Sequence, residues 1–234
     1  MLDRALHRIV LIEILKKIYG SPTLAPHLGF KGGTALYIFY NLPRFSVDLD
    51  FDLLEGGDKN NVFNEIVKIM QPFGEFREKW EKHHTLFFLL SYSEKLHNMK
   101  IEISKRPFVS RYEVKNYLGI PMKVMVREDM FAHKLVALTE RKSVAYRDLF
   151  DLWFFLENHY DINKELVEKR TGKPFKMVLK ECLKFVGKVD NRDILRDMGE
   201  LVDDRRKEWI KQHLKEELMF LLKLRYATNR PQAR

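Results

Sequence analysis

Two periodicities run along the chain, and they divide it. Residues 46–53 read Ser-Val-Asp-Leu-Asp-Phe-Asp-Leu, apolar and polar by turns. Strand side chains alternate faces with a period of two, so this stretch predicts a strand with Val47, Leu49 and Phe51 on one face and Asp48, Asp50 and Asp52 on the other. Residues 99–104 repeat the pattern, with Ile101 and Ile103 opposite Lys100, Glu102 and Ser104. Residues 85–92 are almost continuously apolar and predict a central strand buried on both faces. Another strand is expected at 122–126. Helical spacing governs most of the remainder. Residues 2–18 predict a helix with an inward stripe of Leu6, Ile9, Val10, Ile14 and Ile18. Residues 60–71 predict one with Val62, Ile66, Ile69 and Met70 inward. Later helices are expected at 130–141, 145–158 and 204–226, the last burying Ile210, Leu214, Leu218, Leu221 and Leu222. Strands therefore gather before residue 127 and helices after it. The fold class is α+β: a small mixed sheet with flanking helices over 1–127, then a helical bundle over 128–234.

Composition narrows the classes. The 234 residues carry a net charge of +9, which favours polyanionic partners such as RNA, DNA or nucleotides. A single cysteine, Cys182, excludes internal disulfides. No apolar run approaches the roughly 18 residues that span a bilayer, and residues 1–10 lack a signal peptide's apolar core. A cytoplasmic protein is expected. His83 and His84 are adjacent and do not suggest a shared zinc ion. The Thr-Gly-Lys-Pro string at 171–174 lacks the spacing of a P-loop. The last seven residues, 228–234, read as an unstructured tail.

Candidate chemistry concentrates at 31–52. Gly32, Gly33 and Thr34 precede a short helical stretch at 35–40, and glycines at a helix start let an anion approach exposed backbone N–H groups. The alternating acids follow about a dozen residues later. Aspartates two apart in a strand can lean together over shared metal ions, although an acid-lined strand can also be only a solvated face. Ser46 lies one strand step from Asp48 on the same side. Arg44 could meet a phosphate or pair with an acid. Glu102 is either part of an exposed polar face or a third metal carboxylate from a neighbouring strand.

A glycine pair plus hydroxyl, followed by D-x-D, resembles the DNA polymerase β-like nucleotidyltransferases. The fuller strings KGGTAL and RFSVDLDF are similar to the AbiEii/AbiGii abortive-infection toxin branch. The likeness runs from about Gly29 to Trp153 and is dense at 31–52 and 130–151. It implies a nucleotidyltransferase core in which Asp48 and Asp50 hold two Mg2+ ions with Glu102 as the third acid and base. It implies NTP contacts from Gly32, Gly33, Thr34, Ser46 and Lys134, the lysine of FAHKLVALTER neutralising the triphosphate. Asp148, in R-D-x-x-D, would hold Lys134 or an arginine, or touch the nucleotide; Asp151 could instead pair with Arg141 or Lys142. The helical domain would close the active-site cleft. The implied reaction moves NMP from an NTP to an acceptor, the 3′ end of a tRNA, making the protein a toxin with a cognate antitoxin partner. Alternatives are a transferase acting on a protein or small molecule, and a non-catalytic NTP-binding regulator. The basic face of the helix at 204–226 (Arg205, Arg206, Lys207, Lys211, Lys215, Lys223) is either solvated or an RNA surface.

Overall fold

The computed structural model describes residues 2–94, 96–106, 109–141 and 143–229. The chain divides into two compact units, Met1–Val126 and Arg127–Arg234. Among the described residues of the first, seven strands form one mixed sheet in the order β3-β4-β5-β2-β1-β7-β6. In chain order its elements are α1 (Arg4–Gly20), β1 (Leu28–Lys31), α2 (Gly32–Phe39), β2 (Asp48–Leu53), α3 (Lys59–Met70), β3 (Glu75–Lys82), β4 (Thr85–Ser91), β5 (Met99–Ser104), β6 (Tyr112–Tyr117) and β7 (Ile120–Met125). β2 lies mid-sheet, antiparallel to β1 and parallel to β5. Its inward face is dry: Leu49, Phe51, Ile101 and Ile103 are completely buried.

Three expectations need correcting. α1 turns His7, Val10, Leu11, Ile14, Leu15 and Ile18 inward, while Leu6 and Ile9 are exposed. Apolar residues nearly surround this helix, so spacing alone could not choose the face. The 85–92 run is not buried on both faces: Leu86, Phe88 and Leu90 are buried while Thr85, Phe87 and Leu89 are only partly covered. One face of this strand is therefore packed and the other only partly covered. β3 and β6 were not expected at all. Both are edge strands with charged, mainly uncovered side chains, which guard an open edge against pairing with another chain but leave little apolar pattern.

The second unit holds α4 (Arg127–Glu140), α5 (Tyr146–Glu157), α6 (Lys164–Thr171), α7 (Phe175–Gly187) and α8 (Asp204–Thr228). α4 packs on α5, α6 and α7, and α8 packs on α5 and α7. Phe131 stacks on Phe155 at 4.7 Å, and Trp153 meets Trp209 at 4.5 Å between ring centres. α8 buries the five residues its spacing predicts. On its basic side Lys207 and Lys211 pair with Asp204 and Glu208, and Lys215 donates to the Val189 carbonyl. Of the tail, Thr228 is still helical and residues 230–234 lie outside the described residues. Burial pushes the Cys182 thiol up to about 12, which removes it as a nucleophile. Among the described residues, no helix is long and apolar enough to cross a membrane.

Candidate active site

Strand register assembles the acidic face. β2 and β5 align Asp48 with Lys100, Asp50 with Glu102 and Asp52 with Ser104. β1 sets Lys31 opposite Asp50. Three aspartates, one glutamate and two lysines thus share one side of the sheet, and the lysines pair with three of the acids. Lys31 pairs with Asp52, which also accepts a hydrogen bond from the Tyr112 hydroxyl at 2.5 Å. Lys100 Nζ lies 3.0 Å from Asp48 Oδ2 and 3.4 Å from Glu102 Oε2. Burial opposes the Lys100 charge, but Asp48, Glu102 and Asp50 outweigh it and raise its pKa. Asp50 is pushed up to about 6, first by burial and then by the charge of Asp48, with Glu102 adding and Lys100 and Lys31 opposing. Negative charge is in excess here even with two lysines present.

These donors suit a hard cation. Among the described residues, no group of three or more His, Cys, Asp or Glu side chains is set to hold a metal ion. Mg2+ does not need one, since it commonly takes one or two carboxylates and completes its shell with water and substrate phosphates. Asp48 and Asp50 meet that requirement on chemistry and placement. Glu102 stands in register beside Asp50, but its side chain is 40% exposed and pairs with Lys100.

The glycine pair lies against the same acids. Gly32 has a φ of +80°, and a β-carbon there would run into the Asp50 carboxylate. A β-carbon on Gly33 would stand 2.8 Å from Ser46 Oγ and 2.9 Å from an Arg44 guanidinium nitrogen. Glycine is required twice, once for conformation and once for approach. Arg44 and Ser46 are both buried, and Arg44 Nη1 donates to the Phe45 carbonyl at 3.0 Å. Thr34 is buried as well, and its hydroxyl donates to the Asp48 carbonyl. That bond ties the start of α2 to the start of β2. From behind, His7 Nε2 donates to the Val47 carbonyl at 2.9 Å while Nδ1 accepts from the Tyr92 hydroxyl at 2.7 Å, a tautomer assigned from the partners. Burial lowers the His7 pKa, which keeps the ring neutral and its accepting nitrogen available.

The second unit carries its own acid–lysine cluster. Lys134 Nζ lies 2.8 Å from Asp148 Oδ1 and 2.7 Å from Asp151 Oδ2, and Arg141 Nη2 lies 3.0 Å from Asp148 Oδ2. Both aspartates are buried, whereas the Lys134 side chain retains 17% exposure. Asp148 meets a lysine and an arginine at once. Asp151 meets Lys134; Lys142, its other expected partner, lies outside the described residues.

Sequence reasoning singled out neither Lys100, Lys31 nor His7. The alternation of Lys100 with Ile101 put it on the polar face, but its carboxylate partners depend on how β2 and β5 align, which local pattern does not encode.

Over residues 13–223 the chain matches the family model described as "Nucleotidyl transferase AbiEii toxin, Type IV TA system". Two crystal structures from Helicobacter pylori share its fold. One is of a candidate nucleotidyltransferase, at 22% identity and a TM-score of 0.62, covering 97% of each chain. The other is of JHP933, at 22% identity and a TM-score of 0.60, covering 97% of this chain and 94% of that one. No curated protein matches the sequence. With a match that spans most of its length, the chain belongs to the AbiEii nucleotidyl transferase toxin family and is a nucleotidyltransferase.

Proposed function

We propose that this enzyme transfers NMP from an NTP to the 3′ end of an RNA, a tRNA, in a Mg2+-dependent reaction in the cytoplasm. Blocking that end would stop translation, and a cognate antitoxin would hold the activity in check. The observation that carries this reading is the seating of Gly32 and Gly33 against Asp50, Ser46 and Arg44. Anion donors from the start of α2 and the loop before β2 meet the Asp50 carboxylate there.

Asp48 and Asp50 are the residues that would hold Mg2+, and Glu102 is the third acid beside them. Bound there, the metal would polarise the α-phosphate and lower the pKa of the acceptor hydroxyl. The α2 N-terminus receives the β- and γ-phosphates through the backbone N–H groups of Gly32, Gly33 and Thr34, with Ser46 and Arg44 alongside. Thr34 gives its hydroxyl to the Asp48 carbonyl, so its share of phosphate binding is a backbone one. The acceptor 3′ oxygen attacks the α-phosphorus, the bond to pyrophosphate breaks, and the hydroxyl proton passes to the Glu102 carboxylate. Lys134 adds a cation for the triphosphate, its ammonium oriented by Asp148 and Asp151.

Incubating the purified protein with labelled NTPs, Mg2+ and total tRNA tests the reading. Label in the RNA with stoichiometric pyrophosphate supports it. Label in protein, or no transfer despite NTP binding, overturns it.

A further inference from the structure

The acidic face does not end at Glu102. β5 pairs with β4 so that Glu102 stands beside Phe87, and β4 pairs with β3 so that Phe87 stands beside Trp80. A single row therefore crosses four strands: Asp50, Glu102, Phe87, Trp80. Adjacent strands lie about 4.8 Å apart, so the two rings begin about 5 Å beyond Glu102 and reach to about 10 Å. They stack at 4.5 Å between centres with 9° between planes, and Lys82 Nζ stands 4.2 Å over the Trp80 ring. Phe87 and Trp80 are only partly covered and Lys82 is exposed, whereas Leu86, Phe88 and Leu90 on the other face of β4 are completely buried. The indole N–H donates to Glu78 Oε2 at 3.3 Å, which fixes the ring's tilt.

From this row we infer that Phe87 and Trp80 form a stacking platform for the unpaired terminal nucleotides of a single-stranded RNA acceptor. A cross-strand aromatic pair can also serve a hairpin by itself. This one lies in line with the reacting acids, and Lys82 covers the Trp80 face turned away from Phe87, an exposed and flexible side chain that would swing off the ring to meet a phosphate as a base stacks there. Aromatic rings flanked by cations are how proteins hold single strands without reading their sequence, because every base presents a π-face. The net charge of +9 suits the same partner. The platform would hold the strand while its 3′ hydroxyl reaches Asp50 and Glu102. This inference rests on the proposed RNA acceptor and adds where that acceptor lies.

Binding and transfer are measured separately. An unpaired oligoribonucleotide with a free 3′ hydroxyl should quench tryptophan emission in the wild type, without NTP or metal, and the quenching should be lost in Trp80→Ala. In transfer assays, Trp80→Ala and Phe87→Ala should each raise the acceptor KM about tenfold or more while the KM for NTP holds. Trp80→Phe, which keeps a ring, should recover most of the loss. Circular dichroism and melting establish that each variant is folded. Wild-type acceptor KM in a folded Trp80→Ala, or quenching that survives the substitution, overturns the platform even if tRNA is the acceptor. Quenching that depends on Trp80 but comes with no transfer to any RNA supports the platform and defeats the proposed reaction instead.

Discussion

The molecule builds a lysine into a cluster of acids twice, with opposite results. In the helical unit, Lys134 lies between the buried Asp148 and Asp151, and the half-exposed Arg141 brings a second cation to Asp148. On the sheet, Lys100 and Lys31 face Asp48, Asp50, Asp52 and Glu102, and Asp50, raised first by burial and then by the charge of Asp48, moves to about 6 despite both lysines. Balanced charge under cover holds helices in place. Surplus negative charge at an open face costs stability and attracts a cation, as reactive sites commonly do.

That contrast can be broken from either side. Asp50→Asn should lower nucleotidyl transfer by about a thousandfold or more, since it removes a group that would act on charge developing in the transition state. Circular dichroism should stay native and Tm should not fall, because a crowded carboxylate has been neutralised. A large drop in Tm would mean that the sheet acids are as structural as the helical ones. Lys134→Ala should behave in the opposite way on stability, costing about 3 kcal/mol in denaturant unfolding because two buried carboxylates lose a shared partner. If Lys134→Ala raised only the NTP KM and left unfolding unchanged, the helical cluster would be purely a substrate device. Gly32→Ala should cost roughly 1–3 kcal/mol through its positive φ and displace Asp50, seen as lowered Tm together with lost transfer.

The smallest effect is in pH. The folded pKa of Asp50 lies above its ordinary value, so its contribution to stability is present below about pH 3.8 and is lost as pH rises through about 6. Wild-type Tm should therefore lose ground to Asp50→Asn between pH 4 and 7. A constant gap between the two melting curves would show that Asp50 titrates as an ordinary surface acid.

The site was legible where its information is local. Asp48 and Asp50 are set by alternation within one strand, and the glycines precede a short helix whose start they form. What escaped was long-range. The Lys100 pairing with Asp48 and Glu102 depends on a parallel alignment of strands some fifty residues apart in sequence. Of the Phe87–Trp80 pair, Phe87 lies in a strand its apolar run announced, but Trp80 sits on an edge strand so charged that it left no strand signal. Residues 130–141 declared a helix plainly, yet that Asp148 would serve Lys134 and Arg141 together depends on how α4 and α5 pack. The face of α1 was misjudged because Leu6 and Ile9 compete with Leu11 and Leu15 for one stripe, and burial of a polar residue, His7, decided it.

The bond from Thr34 to the Asp48 carbonyl has a further consequence. It locks the reading frame of β2, where side chains point alternately to opposite faces. Deleting one residue from the loop at 41–47 would move β2 by a single step against that anchor, driving the aspartates into the dry interior and Leu49 and Phe51 into water. Apart from Arg44 and Ser46, the loop can change its letters but not its count, so among related chains its length should drift far less than the rest of its composition.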